Sequence, residues 1–342
     1  MALTQLELIT EGRLKHDFGP VQGGEIWAGF LLARQKALFD VASFISQTEP
    51  HLSDHGPRHI ENVLDNAYAL LGETKCTGTD SQTSLNATEL YFLVLSILFH
   101  DLGNIHGRKD HNRAIERAYS YARGNDVSMM QEKRILFAVV EAHCGQTFDG
   151  SKDTIGKLDS KQHFKQQRVD CQRVASILRL ADELAEGPQR TSAFMRTHFP
   201  VDPESEVYHD YAAATAIHID GDNERIILTY DIEVAPAYRG EKYDESKMRS
   251  LLNLCYRRAV KLDLERKYNR HYCSLLRPFK RTEISFHFCY QGQDLKIAIP
   301  MITLDDLVLP SDQSNVSLVD RERSLQLSLL LPSIREAIAR IA

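Results

Sequence analysis

Between Leu90 and Phe99 the chain reads Leu-Tyr-Phe-Leu-Val-Leu-Ser-Ile-Leu-Phe, and the next two residues are His100 and Asp101. A helix that is apolar nearly all round has no face to give to water, so segment 87–102 is predicted to be a central, fully enclosed helix. The run is too short to cross a bilayer, which takes about 20 apolar residues, and no membrane partner is expected. An imidazole and a carboxylate at the end of such a helix are costly unless they are paired or bind a metal. Taken alone, the pair reads as an imidazole hydrogen-bonded to a neighbouring carboxylate.

The rest of the first 200 residues is helical text. Ile26, Phe30, Leu31, Ala37, Leu38, Val41 and Phe44 recur at roughly helical spacing through 25–47. Pro57 suits a first helical turn, and the helix it opens is predicted to run to Leu71 and stop at Gly72. Residues 73–86 read as a loop, 111–123, 129–143 and 166–186 as further helices, and 149–163 as a polar connector. Beyond residue 200 the pattern changes. The runs Ala214–Ile219 and Arg225–Glu233, with Asp220-Gly221-Asp222-Asn223 between them, predict a hairpin. A long helix over about 244–276 follows, then two strands near 282–290 and 294–300 around Gln291-Gly292-Gln293. Within the long helix, Arg257, Arg258, Arg266, Lys267, Tyr268, Arg270 and Tyr272 read as a solvated polar face, with nucleic-acid contact the lesser alternative. In the last stretch Leu325, Leu327, Leu329 and Leu331 alternate like a strand, while Pro332–Ala342 reads as a helix.

The expected fold class is therefore mainly α with a smaller C-terminal α+β module. A helical domain over 1–200, an accessory module over 201–310 and an extension over 311–342 are the expected divisions. Hydrophobic residues at 43% supply a core that needs no disulfide or metal staple. A net charge of −6 argues against a chain that coats nucleic acid through bulk charge. The six cysteines (Cys76, Cys144, Cys171, Cys255, Cys273, Cys289) are scattered with no C-x-x-C pair, which suits a reducing compartment. Met1–Glu7 lacks the basic-then-apolar opening of a signal peptide, so a cytoplasmic location is expected.

The His-Asp pair does not stand alone. Forty-one residues upstream, His59 lies on its own helix, with Val63, Asn66 and Leu70 following on the same stripe. Downstream, Asp182 interrupts the apolar helix Leu178-Arg179-Leu180-Ala181-Asp182-Glu183-Leu184. Two imidazoles and two carboxylates on three helices suit a divalent cation such as Mn, Fe, Ni or Zn, with Mg a further option, and leave positions for water and substrate.

In this order, His59, then His100-Asp101-Leu102-Gly103, then Leu180-Ala181-Asp182, the sequence resembles the HD superfamily of metal-dependent phosphohydrolases, whose ligand order is H…HD…D. The resemblance covers roughly residues 50–190 and implies an all-helical domain with His59, His100, Asp101 and Asp182 as metal ligands. The wording Asp54-His55-Gly56-Pro57-Arg58-His59, with Gly103-Asn104-Ile105-His106-Gly107-Arg108, is similar to a bacterial branch found in genome-defence settings. Family spacing places a small apolar residue four positions after the ligand. Val63 meets this for His59, so His55 is expected to support a ligand or face the phosphate. The segment Val140-Glu141-Ala142-His143-Cys144-Gly145 is similar to the histidine-containing segment of HD-GYP phosphodiesterases, although those carry a His-His-Glu run. That likeness implies a second ion held by His111 and His143; the alternative is a single ion, with both histidines as phosphate donors or core hydrogen-bonders.

A divalent ion would activate water and polarise a phosphoryl oxygen, with Asp101 bridging or accepting a proton. Cations near the motifs (Arg58, Arg108, Lys109 and Arg113) would meet an anionic substrate, against the plainer reading of each as a solvated surface residue. His106 or His111 would supply the general acid. The expected activity is hydrolysis of a phosphate ester or anhydride in a nucleotide, or at a single-stranded nucleic-acid end, with a homo-oligomer an open possibility. The competing expectation is a non-catalytic sensor that binds a nucleotide in the helical pocket and passes the signal through its C-terminal module.

Overall fold

The computed structural model describes residues 1–48, 54–107, 111–147, 150–198, 202–235, 243–306 and 317–341. The chain is mainly helical with a smaller C-terminal α+β part, and it divides into two compact units. One comprises Met1–Ala185 together with Tyr268–Pro278; the other comprises Glu186–Lys267 and Phe279–Ala342.

The first unit is built from α1 (Gln5–Asp17), α2 (Pro20–Lys36), α3 (Ile45–Thr48), α4 (Pro57–Thr77), α5 (Ala87–Phe99), α6 (His111–Arg123), α7 (Met130–Ala142) and α8 (Cys171–Glu183), with a small hairpin of β1 (Gln162–Phe164) and β2 (Gln167–Val169). The hairpin occupies part of what reads locally as polar connector and helix start, so α8 begins at Cys171. All thirteen residues of α5 are buried. Asn86 and Glu89 close a capping box at its start, which settles the first free N–H groups where water is absent. Helices α1, α4, α7 and α8 pack around it. Gly72, at φ 67°, breaks the regular path of α4 at the position the sequence marks as a stop. The predicted helix over 25–47 divides: α2 passes into a π-turn at Ala37–Val41 and a 3-10 turn at Ala42–Phe44 before α3.

At the far end from His100, α5 is tied to its neighbours by a buried polar knot. The hydroxyls of Tyr91 and Tyr119 both donate to Glu132, and Arg123 binds the same carboxylate at 2.7–2.8 Å. The start of α5, the end of α6 and the start of α7 are thereby held together, which leaves their opposite ends to carry His100, His111 and His143.

The second unit contains α9 (Ala193–His198), α10 (Pro203–Ala214), β3 (Thr215–Asp220), β4 (Arg225–Glu233), α11 (Glu245–Tyr272), β5 (Arg281–Tyr290), β6 (Gln293–Asp294), β7 (Ile302–Asp305), α12 (Leu318–Arg321) and α13 (Leu327–Ile341). The last turn of α11 belongs to the first unit. Strands β3 and β4 form the predicted antiparallel hairpin, and β4 then pairs in parallel with β5 after the long connection through α11. Of the predicted strand over 294–300 only Asp294 is in a strand, together with Gln293 as β6; the main antiparallel partner of β5 is β7. Ile226, Leu228, Tyr230 and Ile232 alternate into the core. Tyr230 donates to the carbonyl of Cys255, and Tyr256 meets Phe286 edge-on, so α11 lies on the sheet. Of the leucines that alternate like a strand, Leu325 closes a 3-10 turn and Leu327, Leu329 and Leu331 belong to α13, where Leu330, Leu331 and Ile334 share the buried face. Arg266, predicted on a solvated face, is 0% exposed. No helix of the described residues is long and apolar enough to cross a membrane.

Candidate metal centre

Three helices deliver one cluster. His59 stands in the first turn of α4 and is 1% exposed. His100 caps α5, and the chain leaves the helix at Asp101, where φ is −113° and ψ 1°. Consecutive residues of a regular helix point about 100° apart; the break lets both side chains serve one point. Asp182 comes from the last turn of α8. Asn66, on the same stripe as His59, donates to the carbonyl of Ala181 at 3.1 Å and ties α4 to the backbone just before Asp182.

The donor atoms of His59, His100, Asp101 and Asp182 all lie within 4.8 Å of one another. His59 Nε2 is 3.2 Å from Asp182 Oδ1 and 3.6 Å from Asp101 Oδ2. His100 Nε2 is 3.4 Å from Asp101 Oδ2 and 3.6 Å from Asp182 Oδ1, and the two Nε2 atoms stand 3.3 Å apart. His100 Nδ1 donates to the carbonyl of Ile97 at 2.8 Å, which fixes the tautomer with Nε2 turned to the cluster. His59 Nδ1 is buried and has no such partner among the described residues.

Burial alone would drive these groups neutral, yet the charges win. Against desolvation, Asp101 and Asp182 hold the His100 imidazole well above its ordinary range. Asp182, accepting from His100 and His59, is held well below the usual carboxylate range, and so is Asp101, which faces His100 and His55. A set that recruits a proton between two imidazoles and two carboxylates is one that a divalent cation satisfies: two negative charges, two neutral nitrogens and no competing cation within it. The residues present therefore fit a metal.

His55 Nδ1 lies 2.8 Å from Asp101 Oδ2, so it supports a carboxylate of the cluster. His143 caps α7, its ring 5.3 Å from that of His100 and edge-on to it, with Nδ1 donating to the carbonyl of Val140. Arg58 is exposed beside His59. His106 is exposed at the end of the 3-10 turn Leu102–His106, and no hydrogen bond or ring contact joins it to the cluster. Arg108 and Lys109 lie outside the described residues, as do the side chains of His111 and Arg113, whose backbone opens α6.

Residues that the motif reading passed over also shape the site. Asn66 and Arg179 each left a signal, a polar group on an otherwise apolar stripe. Tyr268, which the sequence places on a solvated polar face, instead lies with its ring under the guanidinium of Arg179 at 4.7 Å.

No curated protein and no solved structure matches the chain. A family model, HD-CE, matches residues 49–254, more than half of the 342. The match runs past the helical motifs through β3 and β4 and into α11, well beyond residue 190, where the resemblance ended in the sequence. With the H…HD…D residues gathered into one cluster, the chain belongs to the HD-CE family, an HD-type domain.

Proposed function

We propose that the chain is a metal-dependent phosphohydrolase acting on a phosphate ester or anhydride of a nucleotide, with His59, His100, Asp101 and Asp182 holding the ion. The observation that carries this reading is the gathering of four donor atoms within 4.8 Å from three helices. A bound divalent ion supplies Lewis acidity, polarising a phosphoryl oxygen and easing loss of a proton from water. The chain's own residues do the rest. His100 presents Nε2 because Nδ1 is committed to Ile97. His55 holds Asp101 through Oδ2, and Asp101 accepts the proton released as water attacks phosphorus. Arg58, Arg108, Lys109 and Arg113 bind the phosphate oxygens, and His106 or His111 returns a proton to the leaving oxygen. His143, with His111, contacts the phosphate beside a single ion; a second ion is the alternative. Residues 201–310 act as an accessory module that shapes specificity or assembly.

The test is elemental analysis of the purified protein, then a nucleotide panel with added Mn, run for wild type and Asp101→Ala. Turnover in wild type and none in the variant supports the reading; no turnover of any phosphate compound defeats it. Titration of Mn into chelated protein decides the ion count. Two equivalents in wild type and one in His143→Ala mean a binuclear site, and one in both leaves His143 as a phosphate contact.

A cavity of about 790 Å³ favours a second reading, a nucleotide sensor, with the nucleotide held in the second unit and not in the helical pocket expected from the sequence. Among the described residues its lining includes Tyr208, Asn253, Arg257 and Gln326 and no acidic side chain, and its size is that of a small-molecule site. Saturable nucleotide binding that survives Asp101→Ala, without turnover, would favour it.

A further inference from the structure

Arg179 lies three residues before Asp182, on nearly the same face of α8, and is almost wholly buried. Its Nη1 donates to the carbonyl of Cys144 at 3.1 Å and to Thr154 Oγ1 at 2.8 Å. Thr154 in turn donates to the carbonyl of Ala142 at 2.6 Å. Residues 142 and 144 flank His143, so one guanidinium holds the backbone on both sides of that histidine, directly on one side and through Thr154 on the other. His143 is the residue set edge-on against His100.

The guanidinium is itself held. The ring of Tyr268 lies 4.7 Å beneath it, and the Tyr268 hydroxyl accepts from the backbone N–H of Ile155 at 2.9 Å while donating to Asp153 at 3.0 Å. Tyr272, one turn on, donates to the same Asp153 oxygen at 2.7 Å. Both tyrosines come from the last turn of α11, which belongs to the first unit although 82 residues of the second unit, Glu186–Lys267, precede it in the chain. A buried cation over an aromatic face with charge-assisted bonds to two oxygens is a directional fastening.

We propose that Arg179 and Tyr268 are positioning residues that clamp the His143 segment against His100, so that the end of α11 completes a wall of the site. The functional consequence, though not the clamp itself, rests on the phosphohydrolase reading above. Arg179 acts through His143 and touches neither ion nor substrate.

The experiment uses the full-length protein and two independent readouts. Modification by diethyl pyrocarbonate, mapped by mass spectrometry, measures the protection of each histidine, with exposed His106 as the internal reference. Arg179→Met is expected to raise the labelling rate of His143 about tenfold, as loss of a charge-assisted bond allows local opening. His59 and His100 should stay protected. Tyr268→Leu should do the same to a lesser degree, Tyr268→Phe less again, and Arg179→Lys should restore part of the protection. Unchanged labelling of His143, or an equal rise at His59 and His100, would overturn the clamp. The second readout is hydrolysis of bis(p-nitrophenyl) phosphate with Mn. His143→Ala and Arg179→Met should each lower kcat with KM little changed, and the double variant should be no slower than His143→Ala. Additive losses would mean that Arg179 does not work through His143. A wild-type protein that hydrolyses nothing defeats the phosphohydrolase reading, and the labelling then decides the clamp alone.

Discussion

Two buried clusters of charge sit in this chain, and they are built on opposite principles. In the second unit Arg266 is wholly enclosed, yet its guanidinium is matched on every side: Asp263 at 2.7 Å, Asp306 at 2.9 Å, the Phe279 carbonyl at 2.8 Å and Thr282 at 3.2 Å. In the first unit the His59–His100–Asp101–Asp182 cluster turns acceptors on one another, with two Nε2 atoms 3.3 Å apart and at most one hydrogen between them. The first cluster is complete within the protein, the second only with an added cation. A buried network that satisfies itself serves the fold; one that leaves its ligand atoms converging on a point is arranged for something that arrives.

The comparison breaks first at Asp182. Asp182→Ala should remove metal, measured by elemental analysis, and lower kcat/KM with Mn by about a thousandfold or more. Full occupancy in this variant would mean that the four-residue set is wrong. Arg266→Ala should do the reverse. It takes the buried guanidinium from Asp263, which keeps Lys267 as a cation at 2.8 Å, and from the Phe279 carbonyl and Asp306. The cost should be about 3 kcal/mol of stability, read as an earlier urea transition, with metal content unchanged. Loss of metal in Arg266→Ala would show that the two clusters are not independent. Adding Mn to the chelated wild type at about a hundred times its Kd should stabilise the protein by about 2.7 kcal/mol, seen as a rise in Tm. Asp182→Ala should show no rise, because its cluster is incomplete; an equal rise in both proteins would place the ion elsewhere. The smallest effect is expected at Arg58. Arg58→Ala should keep its metal and lose about tenfold in kcat/KM, and an unchanged value would take Arg58 out of the site.

Much of the candidate centre was legible because its cost is local. A His-Asp pair closing an apolar helix, a histidine on an apolar stripe and a carboxylate inside Leu-Ala-Asp each break a pattern that needs no partner to be seen. His55 was legible as a neighbour of the motif, and its bond to Asp101 gives that placement a physical content. Arg266 was misread for the same reason: a basic residue in a basic stretch carries no local mark of burial. Its acceptors come from Asp263, one turn away, and from Phe279, Thr282 and Asp306, far along the chain.

Helix periodicity and the penalty for burying charge are properties of short windows, so the amino-acid sequence by itself determined the enclosed helix α5, the helical first half, the β3–β4 hairpin and the H…HD…D set. Pairings between distant segments were decided only in three dimensions. The parallel union of β4 with β5, the replacement of the 294–300 strand by β7 and the return of Tyr268 and Tyr272 to Asp153 all depend on which surfaces meet after the chain has closed long loops. The leucines from Leu325 onward show the limit plainly. Alternation of every second residue is compatible with a strand, but three neighbours on one helical face, Leu330, Leu331 and Ile334, bury together, and it is packing that made α13 a helix.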